Sequence, residues 1–167
     1  MQPRRVVITG LGVVAPNGVG AEAFDKAMRN GISGISHWNE LDKLNFRCQV
    51  GGKPNVDQEY FESKLPAYIA KKITNKGILY ACLAGIEAWE DAGLEVLSKE
   101  TDYESGAAFG AGALGLDSFI TSKTAPIDEG NHKVLGAAAI PQSMNSGASA
   151  YLNHIIGFGN RAANFCS

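Results

Sequence analysis

Short apolar runs closed by glycine set the frame for this chain. Its 20 glycines do not gather in linkers. They end runs of β-branched or small residues, the pattern of buried strands that pass through tight turns into helices. Arg5-Val6-Val7-Ile8-Thr9-Gly10 predicts one buried strand, and Ser105-Gly106-Ala107-Ala108-Phe109-Gly110 predicts a second. Ala162-Ala163-Asn164-Phe165-Cys166-Ser167 predicts a third, and the sequence stops inside it. Phe46-Arg47-Cys48-Gln49-Val50 alternates like a half-buried strand.

Between these runs the spacing turns helical. Ala23, Phe24, Ala27 and Met28 form a stripe over residues 21–31, with Gly31 placed to end the helix. Residues 57–65 predict a short helix before Pro66. Residues 67–92 predict one long helix, because Ile69, Ile73, Leu79, Leu83, Ile86 and Trp89 step mostly by three or four, and Gly93 ends it. A helix is expected near residues 117–123 after the turn Ala111-Gly112-Ala113-Leu114-Gly115-Leu116. Residues 124–140 read as loop, and Ile140-Pro141 opens a last helix running to about Ile156. Strand, helix, strand, helix, helix, strand predicts a layered α/β domain with a mixed or mainly parallel sheet.

The composition narrows the function classes. A hydrophobic fraction of 45% and a charged fraction of 19% suit a globular domain, and 167 residues suffice for one core. The net charge of −2 gives no global attraction to nucleic acid or to an anionic membrane. Nowhere do ~18 apolar residues run together, so no membrane span is expected. The apolar run after Arg4-Arg5 is too short for a signal peptide. Three dispersed cysteines, Cys48, Cys82 and Cys166, fit a reducing cytoplasm better than a disulfide or zinc framework.

Single motifs say less than their order does. Gly110-Ala111-Gly112-Ala113-Leu114-Gly115 follows a strand and formally matches G-x-G-x-x-G. A dinucleotide site carries that motif in its first βαβ unit, with an acid about 20 residues on. Here it lies late in the chain, so a tight turn is the better reading and a nucleotide-binding oxidoreductase ranks last. Lys71, Lys72 and Lys76 form a basic cluster, either a solvated face or a dock for an acidic partner. His37, His132 and His154 stand apart, no metal-ligand spacing occurs, and no cofactor is expected. Cys166, near a strand end, could be a nucleophile or an inert buried thiol.

Taken in sequence, Arg4-Arg5-Val6-Val7-Ile8-Thr9-Gly10-Leu11-Gly12-Val13-Val14-Ala15-Pro16-Asn17-Gly18 closely resembles the opening signature of the elongating β-ketoacyl-[acyl carrier protein] synthases. Gly31-Ile32-Ser33-Gly34-Ile35 is similar to the next family block. Ala84-Gly85-Ile86-Glu87-Ala88-Trp89-Glu90-Asp91-Ala92-Gly93-Leu94 is similar to the family's A-x-x-A-x-x-D-A/S-G-L helix end. Residues 106–115 match its glycine-rich block, and Ile140-Pro141 its V-P. The resemblance covers nearly the whole chain, least informatively at residues 37–66 and 117–139.

This resemblance implies a thiolase-like fold, five-layered αβαβα, of which residues 1–167 would be the N-terminal half, with the C-terminal half absent. It implies a dimer, homomeric or with a ketosynthase-like partner, a cytoplasmic location, and an acyl carrier protein as partner. It also implies decarboxylative condensation of an acyl thioester with malonyl-carrier in fatty acid or polyketide elongation. Matching Gly157 to the family's Y-G-x-x-G-P places the nucleophilic cysteine two positions past Ser167. Cys166 is then not the nucleophile, no catalytic residue lies within the chain, and the segment alone is expected to be inactive. Gly110, Gly112, Ala113 and Leu114 would wall the acyl pocket, with Ala113 where the family carries a large gating residue. Lys71 and Lys72, with Lys76 nearby, would face the carrier. Gly159-Asn160-Arg161 in place of R-G-P, Tyr151 in place of His, and Asn164-Phe165 depart from the pattern. They suggest a specialised-metabolite or polyene-type synthase, or a non-catalytic chain-length partner.

Overall fold

Asn75 decides where the longest helical stretch begins. A computed structural model describes residues 4–96 and 101–165. In it the single helix expected over residues 67–92 is two helices, α4 (Ala67–Lys72) and α5 (Lys76–Asp91). The Asn75 side chain accepts from Ile78 N, a helix N-cap in the middle of the apolar periodicity. Before them, β1 (Val14–Ala15) and β2 (Gly18–Val19) form a small antiparallel hairpin that leads into α1 (Ala21–Arg29). Gly31 follows α1 with φ +66°, as its stop position requires. Of the α1 stripe only Ala27 is buried.

A second antiparallel pair joins β3 (Ile35–His37) to β4 (Val50–Gly52), with the short helix α2 (Asn39–Lys43) between them. The strand expected at residues 46–50 therefore contributes only Val50 to a ladder. The helix expected over residues 57–65 is α3 (Gln58–Lys64), with the Asp57 carboxylate capping it at Tyr60 N.

The last pair carries the site. β5 (Ala107–Gly110) lies parallel to β6 (Ala162–Phe165), with Gly110 opposite Phe165. The chain between them forms α6 (Leu116–Phe119), which runs on through wider π-type turns to Thr124, then α7 (Ala125–Asp128) and a 3-10 turn at His132–Leu135. The expected loop at residues 124–140 is thus partly helical. The helix expected from Ile140 to Ile156 is two helices, α8 (Ala139–Ser143) and α9 (Gly147–Ile156). The break falls at Met144, whose ψ of 140° is extended.

The core sits where α5 packs on α9 and on α3 and α4. Phe61, Ile69, Ile78, Leu79, Cys82, Leu83, Leu152 and Ile156 are buried there. Gly85 lets the two long helices approach, because a Cβ at that position would meet the Leu152 side chain. Trp89 packs edge-on against Phe158, ring centroids 4.9 Å apart.

One expectation fails outright. Residues 4–13 form no ladder, and Val6 and Ile8 are 91% and 84% exposed instead of buried. β-Branched residues supply a strand's surface, but a strand needs a neighbour to pair with. β5 and β6 pair with each other, and among the described residues no other strand lies beside residues 5–10. The segment is held instead through α5. Leu11 N donates to Asp91 Oδ2 at 2.9 Å and Val13 N to Glu87 Oε2 at 2.8 Å. Gly10 and Gly12 sit so close to the helix that any Cβ would collide with the Ala88 or Ala84 carbonyl.

Candidate acyl pocket and carrier-facing surface

Parallel pairing brings the ends of β5 and β6 to one edge. Ala111 N donates to Phe165 O at 2.9 Å, so the glycine-rich turn begins beside the end of β6. The carboxyl ends of parallel strands are where α/β sheets present their ligand sites. Cys166 and Ser167, which follow β6, lie outside the described residues.

The turn walls a cavity of about 240 Å³ lined by Gly112, Ala113, Leu114, Leu116, Phe119, Ser143 and Asn145. Three of the four residues expected to form an acyl pocket therefore share one cavity. Gly110 does not line it; it ends the strand. Asn145 Nδ2 donates to Gly112 O at 2.8 Å and to Ala111 O at 3.3 Å, which fixes the first half of the turn. Asn75 Nδ2 donates to Leu114 O at 3.2 Å and fixes the second. Gly115 has φ +62°, and a Cβ there would run into the Asn75 amide, so both conformation and space call for glycine. The lining is mostly apolar.

Lys71 and Lys72 form the last turn of α4, and Lys76 opens α5; all three are exposed. The only ion pair among the described residues, Arg29 with Asp25 at 2.7 Å, is on α1. The first two lysines also suit the negative end of their helix, whereas Lys76 sits at the positive end of α5, where the dipole opposes it. Lys72 further lines a second, larger cavity of about 460 Å³ with Thr74, Ser122, Lys123, Leu135, Gly136, Ala137, Ala138 and Gln142.

The free cysteines among the described residues are Cys48 and Cys82. Cys82 is buried in the core and its thiol is pushed up to about 12 by that burial. Cys48 is exposed, its thiol 3.6 Å from Val50 O. His154 packs edge-on against Tyr68 at 5.5 Å, and His37 lies 3.4 Å from Gln49 Oε1. No cluster of metal-ligating side chains occurs among the described residues. Burial, then the nearby Cys82, raises the Tyr151 hydroxyl above its ordinary range. Within the described residues no helix is long and apolar enough to cross a membrane.

The residues that sequence reading missed are polar. Thr74, Asn75, Ser118, Gln142 and Asn145 tie the turn to α4, α5 and α8. An Asn three positions before Ile78 was a legible cap signal, hidden by the apolar periodicity on both sides of it. Gln142 carries no local signal, since its partners are 67–70 residues away in sequence.

Known proteins share this pattern. The family model described as β-ketoacyl synthase, N-terminal domain, matches residues 3–165. The chain belongs to the β-ketoacyl synthase family and has its thiolase-like fold. It is 38% identical over 135 residues to a 3-oxoacyl-[acyl-carrier-protein] synthase 2 of Vibrio cholerae, covering 80% of this chain and 31% of that one. It is 36% identical over 115 residues to the tetracenomycin polyketide synthase ketoacyl synthase beta subunit of Streptomyces glaucescens, covering 69% of this chain and 27% of the other. Among solved structures it resembles a type II polyketide synthase acyl-carrier protein in complex with its ketosynthase bound to the hexaketide. There the TM-score is 0.70 at 25% identity, covering 98% of this chain and 38% of the other. The chain thus spans about a third of the length of these relatives.

Proposed function

We propose that the full-length protein is a condensing enzyme. It would join an acyl thioester to malonyl-[acyl carrier protein] with loss of carbon dioxide, and residues 1–167 would supply the first half of its fold. The observation that carries this reading is the convergence at one sheet edge. The end of β6, where the family places its nucleophilic cysteine a few residues on, lies beside the turn that walls an apolar cavity. The family's 3-oxoacyl-[acyl-carrier-protein] synthases and the carrier complex of a ketosynthase support the substrate class.

Gly112, Ala113 and Leu114 form the acyl-pocket wall in this proposal, with Gly110 at the base of the turn. The methyl of Ala113 would leave the pocket deeper than a bulky residue would. Lys71, Lys72 and Lys76 offer unpaired ammonium groups to an acidic carrier protein, which steers encounter more than it adds affinity. The nucleophile lies two positions past Ser167, so the 1–167 segment by itself would not condense. A dimer and a cytoplasmic location complete the reading.

The test incubates the full-length protein with acyl-carrier and malonyl-carrier and follows the carrier-bound product by mass. Formation of β-ketoacyl-carrier, lost when the cysteine two places past Ser167 becomes alanine, is expected. Absence of product across a range of acyl lengths would contradict it. The chain-length-partner alternative has a matching relative in the polyketide synthase beta subunit. A glutamine two places past Ser167, with condensation only in the presence of a second subunit, would establish it.

A further inference from the structure

Three polar side chains, Asn75, Ser118 and Gln142, are buried where α4, α5, α6 and α8 meet, and with the exposed Thr74 they make bonds that run between the two cavities. Asn75 is 1% exposed, Gln142 4% and Ser118 8%. Gln142 Oε1 accepts from Thr74 N at 2.7 Å, from Thr74 Oγ1 at 3.1 Å and from Asn75 N at 3.4 Å. Its Nε2 donates to Lys72 O at 3.3 Å. Ser118 Oγ donates to Thr74 Oγ1 at 2.9 Å. Asn75 Nδ2 donates to Gln142 O at 2.7 Å and to Leu114 O at 3.2 Å. The small residues around this cluster let it close. A Cβ on Gly77 would press on Leu114, and one on Gly147 would meet Pro141 O.

The placement matters more than the count. Gln142 lines the lysine-bearing cavity, and the next residue, Ser143, lines the apolar one. Phe119 lines the apolar cavity, and Ser122 and Lys123, on the same helical run, line the other. The two cavities therefore share walls, and the hydrogen-bonded cluster lies in those walls. Burying so many polar atoms gains little net stability over apolar packing. What a fully satisfied network does supply is one defined geometry.

We infer that Asn75 and Gln142 are positioning residues for substrate selection. They lock the acyl-pocket wall at Leu114 to the carrier-facing end of α4 at Lys72, so that the wall's position, and with it the acyl length accepted, depends on this cluster. The inference rests on the proposed condensing function and names a determinant of specificity at the same site. Capping and anchoring are separable in Asn75, because one atom does each. Oδ1 caps α5 at Ile78 N, while Nδ2 holds Leu114 O and Gln142 O. Asn75→Asp keeps the capping oxygen and removes both donations to the wall.

The test uses the full-length protein and two variants, Asn75→Asp and Gln142→Met. Competition between short and long acyl-carriers reads selectivity, the KM for malonyl-carrier reads docking, and hydrogen exchange at residues 112–116 reads the wall. Asn75→Asp is expected to change the long-to-short preference by about threefold or more in a folded protein whose melting temperature falls, because a carboxylate oxygen then faces the Leu114 and Gln142 carbonyls. Exchange at the turn should rise by about tenfold, the factor for loss of one well-made hydrogen bond. Gln142→Met should shift the preference in the same direction and also alter the KM for malonyl-carrier. Parent-like preference in both folded variants would overturn the inference. If the parent protein does not condense at all, the functional reading fails instead, and parent-like exchange at residues 112–116 would still overturn the anchoring.

Discussion

The α5–α9 face and the region around the glycine-rich turn are built on different principles. On the first, Ile78, Leu79, Cys82, Leu83, Leu152 and Ile156 pack together, and the buried polar side chain that α9 adds is the small Ser149. Around the turn, the buried side chains are Asn75, Ser118 and Gln142, while Ile140, Leu116, Ile120 and Met144 are exposed. Apolar packing sets stability in proportion to area and tolerates exchange of one hydrophobe for another. A polar network fixes one arrangement and tolerates little. The difference separates what holds the domain together from what shapes the cavity, and mutations should divide along the same line.

The largest effect belongs to the apolar face. Ile78→Ala removes a fully buried side chain between α5 and α9 and should cost about 2–5 kcal/mol, read as a lowered denaturation midpoint of the full-length protein. A midpoint within error of the parent would mean that this contact is not the core. Next comes Asn75→Ala, which loses both the cap of α5 and the two bonds to the wall. A cost of about 1–3 kcal/mol is expected, and Asn75→Asp, which keeps the cap, should still melt below the parent because it loses the two bonds to the wall.

A smaller effect is tied to pH. Burial pushes the Cys82 thiol from its ordinary value of 9.0 up to about 12. Its neutral form is what the core accommodates, so this contribution is complete below pH 9 and declines as the pH rises toward 12, where the unfolded chain ionises more readily. The stability gap between the parent and Cys82→Ala should therefore narrow above pH 9, and a gap constant across that range would contradict the burial. Smallest in stability terms are Lys71→Glu and Lys72→Glu on the exposed end of α4. Together they should leave the melting temperature within a degree or two of the parent, weaken carrier binding and flatten its salt dependence. Binding unchanged at low salt would remove these lysines from the dock.

The same contrast explains what the sequence could reveal. α1, α3, α5 and the strand pair β5–β6 were legible because each carries a local sign: an apolar period, a cap such as Asp57, or a small-residue run closed by glycine. The failures lie where a partner distant in sequence decides. Residues 5–10 have strand composition, yet the chain is held just after them, where Leu11 and Val13 donate to Asp91 and Glu87 of α5, some 74–80 residues away. The break at Asn75 interrupts a helix whose apolar spacing runs straight through it, because its buried bonds to the remote Leu114 and Gln142 carbonyls outweigh a few tenths of a kcal/mol of helix propensity per residue. At Met144 the backbone turns extended, and the next residue, Asn145, bonds to the distant Ala111 and Gly112 carbonyls. Of the candidate site, the turn residues Gly112, Ala113 and Leu114 could be named in advance from family likeness. The cluster that holds them could not, since Gln142 has no neighbour in sequence that hints at Thr74.

Ala113 offers the most direct measurement of the central claim, that this turn walls the acyl pocket of a condensing enzyme. Its side chain lines the cavity, and the position has no part in the buried core or the polar cluster. The full-length protein and its Ala113→Ile variant would be given an equimolar mixture of short and long acyl-carriers with malonyl-carrier, and the products resolved by mass. The account predicts that the isoleucine fills the cavity and shifts product toward the short chains while total turnover on the shortest is kept. The same product distribution from both proteins would contradict it.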